Sequence, residues 1–241
     1  MIIPPKIYKF QSCNDYSLCN LQQQCIWFSR PETFNDPYDC DINFTIIDST
    51  DANLRSMLSR MRMDRFVNND EAIEMARKAT EDIKKKKWAN IRVACFTEEY
   101  KNILMWSHYA NFHKGFCLEF STDFYPFKPF KTQTMLKVSY SAEYPSLSIK
   151  DIPHKLPSLP KRLLGTKYSD WEYENEWRIF STEPKYFYDK PALTGVYFGQ
   201  KMSDENKHKI MSILANSSTV FFEMRRSDSE FALYAKEISR A

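Results

Sequence analysis

The chain has 241 residues, of which 43% are hydrophobic and 15% aromatic, and its formal net charge is +3. This composition supplies enough apolar surface for a folded core and differs from that of a disordered chain. This small positive net charge does not by itself indicate a nucleic-acid-binding protein, although nucleic acid stays a possible partner. With four glycines, the chain contains no G-x-G-x-x-G and no G-x-x-x-x-G-K-[ST] motif. Rossmann-type and P-loop nucleotide binding are therefore not expected.

The six cysteines form no C-x-x-C pair and have no histidine at zinc-finger spacing, so no metal site is expected. The first residues lack the pattern of a secretory signal. No apolar run reaches the roughly 18–20 residues needed to span a bilayer. These features predict reduced, buried thiols in a cytoplasmic protein without membrane contact, and they leave the oligomeric state open.

Short strands and helices alternate along the chain. Aromatic and β-branched runs bounded by turn formers predict strands at residues 7–10, 25–29, 41–46, 92–97, 115–120, 137–140, 174–181, 195–198 and 220–224. Helical spacing of apolar residues predicts an insertion at about 51–91, a helix at about 102–112 and another that begins near Ser203. The proline-rich stretch 145–160 is typical of a loop. This order predicts an α+β fold with a mostly antiparallel or mixed sheet, in a single domain of residues 1–241.

The first polar motif is Phe34-Asn35-Asp36-Pro37-Tyr38-Asp39. Asn-Asp-Pro is typical of a turn, and Pro37 favours an extended conformation of the residue before it. Either Asn35 and Asp36 only cap backbone groups, or Asp36 and Asp39 present carboxylates at the edge of a cleft, and both interpretations stay open.

The second motif is Met105-Trp106-Ser107-His108-Tyr109, with His113 following. Trp106 and Tyr109 lie three apart and share one face of the predicted helix, while His108 points elsewhere. Histidine is a common acid–base side chain, although a lone histidine is more often structural. The five-residue spacing between the two histidines does not fit an i, i+4 metal pair.

The third motif is Trp171-Glu172-Tyr173-Glu174-Asn175-Glu176-Trp177-Arg178. On a strand, one face would carry Glu172, Glu174, Glu176 and Arg178. The alternative is an ordinary solvent-exposed face in which Arg178 pairs with Glu176.

In chain order, these motifs resemble a bacterial family of unknown function. The resemblance extends over nearly the whole chain and carries no assigned activity with it. Its motifs are Tyr8-Lys9-Phe10, Asn20-Leu21, Trp27-Phe28-Ser29, Phe34-Asn35-Asp36-Pro37, Cys95-Phe96-Thr97, Met105-Trp106-Ser107-His108-Tyr109, His113-Lys114-Gly115, Glu174-Asn175-Glu176-Trp177-Arg178 and Phe198-Gly199.

The chain also resembles, more weakly, ADP-ribosyltransferase-type domains, which have a polar-aromatic first strand, an aromatic-Ser second strand and a late Glu-x-Glu. The resemblance implies NAD as the substrate, Glu176 as the catalytic carboxylate and Glu174 as the acceptor-side one. A carboxylate can stabilise an oxocarbenium-like state, and aromatic rings suit a cationic nicotinamide. His108 is the third candidate catalytic residue. The candidate substrate-binding residues are Tyr8, Lys9, Trp27, Ser29, Asn35, Asp36, Trp106, Tyr109 and Arg178.

The first strand departs from the pattern of such enzymes, since Tyr8 and Lys9 stand where His or Arg is common. Two other classes therefore stay open. One is a non-enzymatic ligand-binding or sensor module. The other is a metal-dependent hydrolase or nuclease, in which Asp36, Asp39 and the paired glutamates would supply oxygen ligands for Mg²⁺ or Mn²⁺.

Overall fold

The computed structural model describes residues 2–41, 43–45, 90–148 and 159–240, with single helical positions at 59, 78 and 82. Of the predicted helical insertion at 51–91, the structure describes these three helical positions and residues 90 and 91, which are not helical. The other residues of the insertion lie outside the described residues. The chain divides into two compact units. The first comprises Met1–Ser29, Arg92–Val138 and Trp171–Ala241, and the second Arg30–Ile91 and Ser139–Asp170. The single-domain prediction stays a prediction.

The first unit is built on one large mixed sheet. Its strands are β1 (Lys6–Gln11), β4 (Arg92–Thr97), β5 (Phe116–Ser121), β6 (Met135–Lys137), β10 (Glu176–Ser181), β12 (Leu193–Phe198), β13 (Val220–Arg226) and β14 (Leu233–Ile238). They lie in the order β14-β13-β12-β5-β1-β4-β10-β6. Neighbouring strands are antiparallel, except for the parallel pair β12–β13. The predicted α+β class with a mixed sheet is confirmed.

The described helices are α1 (Asp15–Gln22), α2 (Ile103–Tyr109), α3 (Phe127–Gln133), α4 (Leu159–Gly165) and α5 (Asp204–Ile213). Of these, α1, α2 and α5 begin at side-chain caps that are recognisable in the sequence, whereas α3 begins at Pro126 without one. The Asn102 side chain accepts hydrogen bonds from the first backbone amides of α2, and the Ser203 hydroxyl accepts one from Asn206. These contacts confirm the predicted starts of both helices.

The two faces of the large sheet carry different side chains because successive residues of a strand point to opposite faces. One face holds the main apolar core and packs against α1, α3 and α5; its buried strand residues include Ile7, Phe96, Phe120, Trp177, Ile179 and Phe198. The opposite face holds a smaller cluster under α2. There the fully buried Trp106 of α2 packs edge-on against Phe10 of β1, with ring centroids 5.0 Å apart.

The first unit also contains a two-stranded sheet of β2 (Cys25–Trp27) and β11 (Lys185–Phe187). The second unit contains the parallel pairs β3 (Asn43–Thr45) with β8 (Ser146–Ser148) and β7 (Ser139–Ser141) with β9 (Thr166–Tyr168). The predicted strand at 137–140 is thus wrong as one element, since β6 and β7 belong to different sheets.

The predicted loop at 145–160 is wrong at both ends, where β8 and the start of α4 lie. Pro160 does not prevent α4, because proline is tolerated in the first turn of a helix.

The third motif is not the one continuous strand that the sequence pattern predicted. Ser169–Glu174 form a 3-10 helix, and β10 begins at Glu176 rather than at Glu174. Asn175 separates the two elements with a left-handed φ of 45°, a conformation that asparagine adopts more readily than most residues. Glu174 therefore does not share a strand face with Glu176.

Candidate functional site

A row of polar side chains crosses the sheet on the face that packs against α2. Glu176 of β10 lies opposite Thr97 of β4, Thr97 opposite Tyr8 of β1, and Tyr8 opposite Glu119 of β5. Residues directly opposite each other point to the same face. Neighbouring strands are about 4.8 Å apart, which puts the Cα atoms of Glu176 and Glu119 about 14 Å apart. We call Glu176, Thr97, Tyr8 and Glu119 the polar row.

Glu176 forms a two-pronged ion pair with Arg178, which lies two residues further along β10 and so on the same face. Arg178 Nε and Nη2 each donate to a different Glu176 carboxylate oxygen at 2.8 Å. Glu176 is 3% exposed and Arg178 is fully buried. Such charge-assisted forks fix the orientation of both groups, and burial strengthens the field of the carboxylate.

Two further groups lie beside this pair. Cys95 is opposite Arg178 on β4, and burial, with the negative charge of Glu176, raises the pKa of its thiol well above the usual range. The thiol therefore stays protonated at neutral pH and is a poor nucleophile. Lys9 Nζ donates to the Cys95 carbonyl at 3.1 Å, and burial lowers the pKa of this lysine.

Glu174 is held from α2 rather than from the sheet. The Tyr109 hydroxyl donates to Glu174 Oε1 at 2.6 Å, and Glu174 is 2% exposed. His108 lies edge-on to Trp171 with ring centroids 6.1 Å apart, and Trp171 lies the same distance from Tyr173. We call His108, Tyr109, Trp171 and Tyr173 the aromatic cluster. The second and third motifs are thus joined through Tyr109 and Glu174.

Trp106, a candidate substrate-binding residue, faces away from solvent. Its indole Nε1 donates to the Tyr100 carbonyl at 2.7 Å. This hydrogen bond and the full burial of the ring anchor α2 to the sheet, so Trp106 supports the site from below.

Glu119 is the member of the polar row that sequence reasoning missed. Its carboxylate accepts hydrogen bonds from Lys6, Thr194, Tyr197 and Tyr8 at 2.7–3.2 Å, and the residue is 4% exposed. Burial alone would raise its pKa, but these donors outweigh burial and lower it. Burial and the same carboxylate raise the pKa of both tyrosines. A glutamate inside the otherwise apolar run of β5 was the available signal, since a buried charge needs partners.

Trp27 and Ser29 lie near the other end of β4. Trp27 is half-exposed in β2, opposite Lys185. Ser29 exchanges two backbone hydrogen bonds with Val93, at 2.8 and 2.9 Å. Val93 is four residues from Thr97, or about 13 Å along the strand, so Ser29 is well separated from Glu176.

Asn35 and Asp36 belong to the second unit. Asp36 Oδ1 accepts from the Tyr38 amide at 2.9 Å, which is the turn-capping geometry that the motif predicted. In the same unit, the buried Asp39 lies 3.5 Å from Lys167 Nζ. Asp36 thus stabilises its own turn through this carboxylate oxygen.

Ser107 and His113 approach each other but are not arranged as a nucleophile and its base. Ser107 Oγ donates to the Ile103 carbonyl at 3.0 Å, so His113 Nε2, 3.2 Å away, must be the donor to Oγ. His113 Nδ1 is then an unprotonated nitrogen, buried without a hydrogen-bond partner among the described residues. Burial, followed by the charge of Lys201, lowers the pKa of His113. This pair holds the end of α2 in place.

The part of the chain that the structure describes offers neither a metal-binding group nor a membrane-spanning helix. In ranges 2–41, 43–45, 90–148 and 159–240, no group of three or more His, Cys, Asp or Glu side chains could hold a metal ion. Within the same ranges no helix is long and apolar enough to cross a membrane. Cytoplasmic localisation stays a prediction.

The fold and the site define an α+β protein in which α2 packs on one face of the central sheet, and that face carries the buried polar row. Residues 105–179 match the family model described as Protein of unknown function (DUF2971), and this segment contains the second and third motifs. The expected resemblance to a family of unknown function is confirmed for that segment. Searches of curated proteins and of solved structures found no significant match. The motifs outside residues 105–179 and the resemblance to ADP-ribosyltransferases stay predictions.

Proposed function

We propose that the chain is an NAD-consuming enzyme of ADP-ribosyltransferase type, with Glu176 as its catalytic carboxylate. The observation that supports this most is the two-pronged contact of Arg178 with Glu176, at 2.8 Å for each hydrogen bond. It holds a negative charge in a fixed orientation on a buried face. A preorganised charge of this kind stabilises a developing cation better than a mobile carboxylate in water.

In the proposed reaction, the bond between nicotinamide and the ribose carbon breaks. Nicotinamide leaves with the bonding electron pair and becomes neutral, while positive charge develops on the ribose ring. Glu176 stabilises that charge, as a carboxylate does in glycoside cleavage. Water, or the hydroxyl of an acceptor, then attacks the ribose carbon and loses its proton. Glu174, held by Tyr109, is the second carboxylate suited to accept that proton.

The aromatic cluster gives this proposal a place for the leaving group. The ring centroids of Tyr109 and Trp171 lie 6.2 and 6.1 Å from that of the exposed His108, and Tyr109 donates a hydrogen bond to Glu174. Aromatic faces attract a cationic ring such as nicotinamide before cleavage and lose that attraction after it becomes neutral. The cluster would thus favour both binding and release.

The test is to incubate the full chain with NAD and to measure free nicotinamide by chromatography. We expect release in the wild-type protein and a loss of about 10²- to 10³-fold in the Glu176→Gln variant. Glu172→Gln is the matched control, because Glu172 is exposed in the adjacent 3-10 helix. Circular dichroism melting verifies that the variants fold. No nicotinamide release and no NAD-induced rise in Tm in the wild-type protein would contradict the proposal.

A second candidate is a non-enzymatic ligand-binding module, which a different observation favours. Glu174, Glu176 and Arg178 are all at most 3% exposed. Carboxylates this deeply buried have little access to a reacting substrate, and a network that fixes the structure around a ligand would favour binding without turnover. A rise in Tm with NAD but without nicotinamide release would select this candidate over the enzyme.

A further inference from the structure

A separate cavity of about 170 Å³ lies in the first unit, beside the ends of α1 and α5 and the start of β12. Its floor is apolar and is formed by Leu21, Leu193, Leu214 and Tyr188, each at most 6% exposed. No member of the polar row or of the aromatic cluster lines it. The cavity is therefore distinct from the site described above.

The volume of the cavity limits the size of a ligand. Apolar cavities of about 150 Å³ accommodate a single benzene ring. A floor of three leucines and one aromatic ring matches one six-membered ring in size and polarity. Small-molecule sites typically combine such an apolar floor with a few polar groups at the rim.

The polar groups at the rim favour a negatively charged ligand. Lys190, exposed at the rim, is the charged residue among the eleven that line the cavity, and none of the eleven is acidic. The carbonyl groups at the end of α5 would otherwise repel an anion. However, the Arg240 guanidinium brings a second positive charge to the same edge. It donates hydrogen bonds to four backbone carbonyls there, those of Leu214, Ala215, Ser217 and Thr219.

One wall of the cavity is held in a strained conformation. Gln24, which lines it, has a left-handed φ of 53°, unusual for a residue other than glycine, asparagine or aspartate. Its amide donates to the Leu21 carbonyl at 3.1 Å, and its carbonyl accepts from the Tyr188 amide at 2.8 Å. Non-glycine residues in such conformations gather at ligand sites, where the surrounding structure fixes them. The wall is thus preformed.

We propose that this cavity binds a small aromatic monocarboxylate, with the ring on the leucine floor and the carboxylate beside Lys190. The cavity volume limits the ligand to a single ring, and the leucine floor favours an apolar ring. The positive charges of Lys190 and Arg240 favour a negatively charged group on the ligand. This site does not depend on Glu176, so it can exist whether or not the chain consumes NAD.

Benzoate is the probe, and benzamide is its neutral counterpart of nearly equal size. Methyl NMR spectra of the full chain, labelled at leucine, would be recorded during titration with each compound. We expect benzoate to shift the signals of Leu21, Leu193 and Leu214. Benzamide should bind about fivefold more weakly, as expected for an exposed charge worth about 1 kcal/mol.

Two variants separate the contributions of charge and shape. Lys190→Met should remove the preference for benzoate over benzamide, while Lys128→Met, an exposed lysine of α3 outside the cavity, should retain it. Asn216→Trp, at the exposed rim, should block both compounds. The Glu176→Gln variant should bind benzoate as the wild-type protein does.

The proposal is overturned if millimolar benzoate leaves the three leucine signals unchanged. It is also overturned if benzoate and benzamide bind equally well to the wild-type protein, or if Lys190→Met keeps the wild-type preference. If the wild-type protein binds benzoate but releases no nicotinamide from NAD, the result counts against the NAD proposal alone.

Discussion

The same strands form both faces of the central sheet, but one face buries apolar side chains and the other buries charged ones. On one face, Phe96, Phe120 and Ile179 belong to an apolar core that excludes water. On the other, the same strands bury the charged groups of Glu119, Glu176 and Arg178, each at most 4% exposed. The apolar face gains stability from area removed from water. The polar face must offset the cost of desolvating its charges with hydrogen bonds of good geometry.

This difference supports the proposal that the second face carries the function. An apolar core of similar volume would be at least as stable as a buried ion pair. Stability alone therefore does not account for the placement of Glu176 and Arg178 on the second face. Oriented charge in a dry environment is instead what ligand binding and catalysis require. The two faces should therefore respond differently to substitution and to pH.

The largest effect is expected from Arg178→Met. Because the Glu176 carboxylate loses the two hydrogen bonds of the guanidinium, a buried charge is left without this compensation. We expect a loss of about 3–5 kcal/mol in the free energy of unfolding, measured by urea denaturation. On the apolar face, Ile179→Val should cost only about 1 kcal/mol.

The double variant Glu176→Leu with Arg178→Met distinguishes charge from packing. Removing both charges should restore most of the stability lost in Arg178→Met, since apolar replacements of a buried pair are often neutral or better. If the double variant is as unstable as Arg178→Met alone, the ion pair is not the reason for the loss.

A smaller effect with a clear pH dependence is expected at Glu119. Lys6, Thr194 and Tyr197 outweigh burial and lower the pKa of this carboxyl in the folded chain. A lowered folded pKa stabilises the protein above the unfolded pKa, which is about 4.3 for glutamate, and this stability is lost as pH falls. Glu119→Gln should therefore cost about 1–3 kcal/mol at neutral pH.

The difference in the free energy of unfolding between the wild-type protein and Glu119→Gln should become smaller below about pH 4, where the wild-type carboxyl becomes protonated. Urea denaturation at a series of pH values measures it. Ile179→Val is the control, and its difference from the wild-type protein should stay constant with pH. A Glu119→Gln difference that is equally constant would show that the charge of Glu119 is not stabilising.

The sequence pattern predicts most strands of this sheet, although not β14 (Leu233–Ile238) or the bounds of β6, and it does not predict the partners on the polar face. The run Phe116-Cys117-Leu118-Glu119-Phe120 predicts a strand from local pattern alone. The partners of Glu119 are distant: Tyr8 lies 111 residues away in the chain and Tyr197 lies 78 away. Only the register between strands brings them together, and register depends on the whole sheet.

The candidate site shows the same limit at Glu174. Its alternation with Glu176 suggested a shared strand face, yet Asn175 turns the chain with a positive φ and Glu174 ends a 3-10 helix. The contact between Tyr109 and Glu174, 65 residues apart, was not visible in either motif alone. Glu176 and Arg178, two residues apart on one strand, were predicted as a possible pair because their contact is local.

The smallest effects are expected from the tyrosines that bind Glu119. Tyr197→Phe removes the hydroxyl that donates at 2.7 Å but keeps the ring, which stacks on Phe222 with centroids 4.6 Å apart. We expect a loss of about 1 kcal/mol, and less for Tyr8→Phe, whose hydrogen bond is longer at 3.2 Å. In a Glu119→Gln background both losses should shrink, because a neutral amide oxygen accepts more weakly than a carboxylate. A double-mutant cycle by urea denaturation measures this coupling, and strictly additive losses would show that the two hydroxyls stabilise the protein independently of the Glu119 carboxylate.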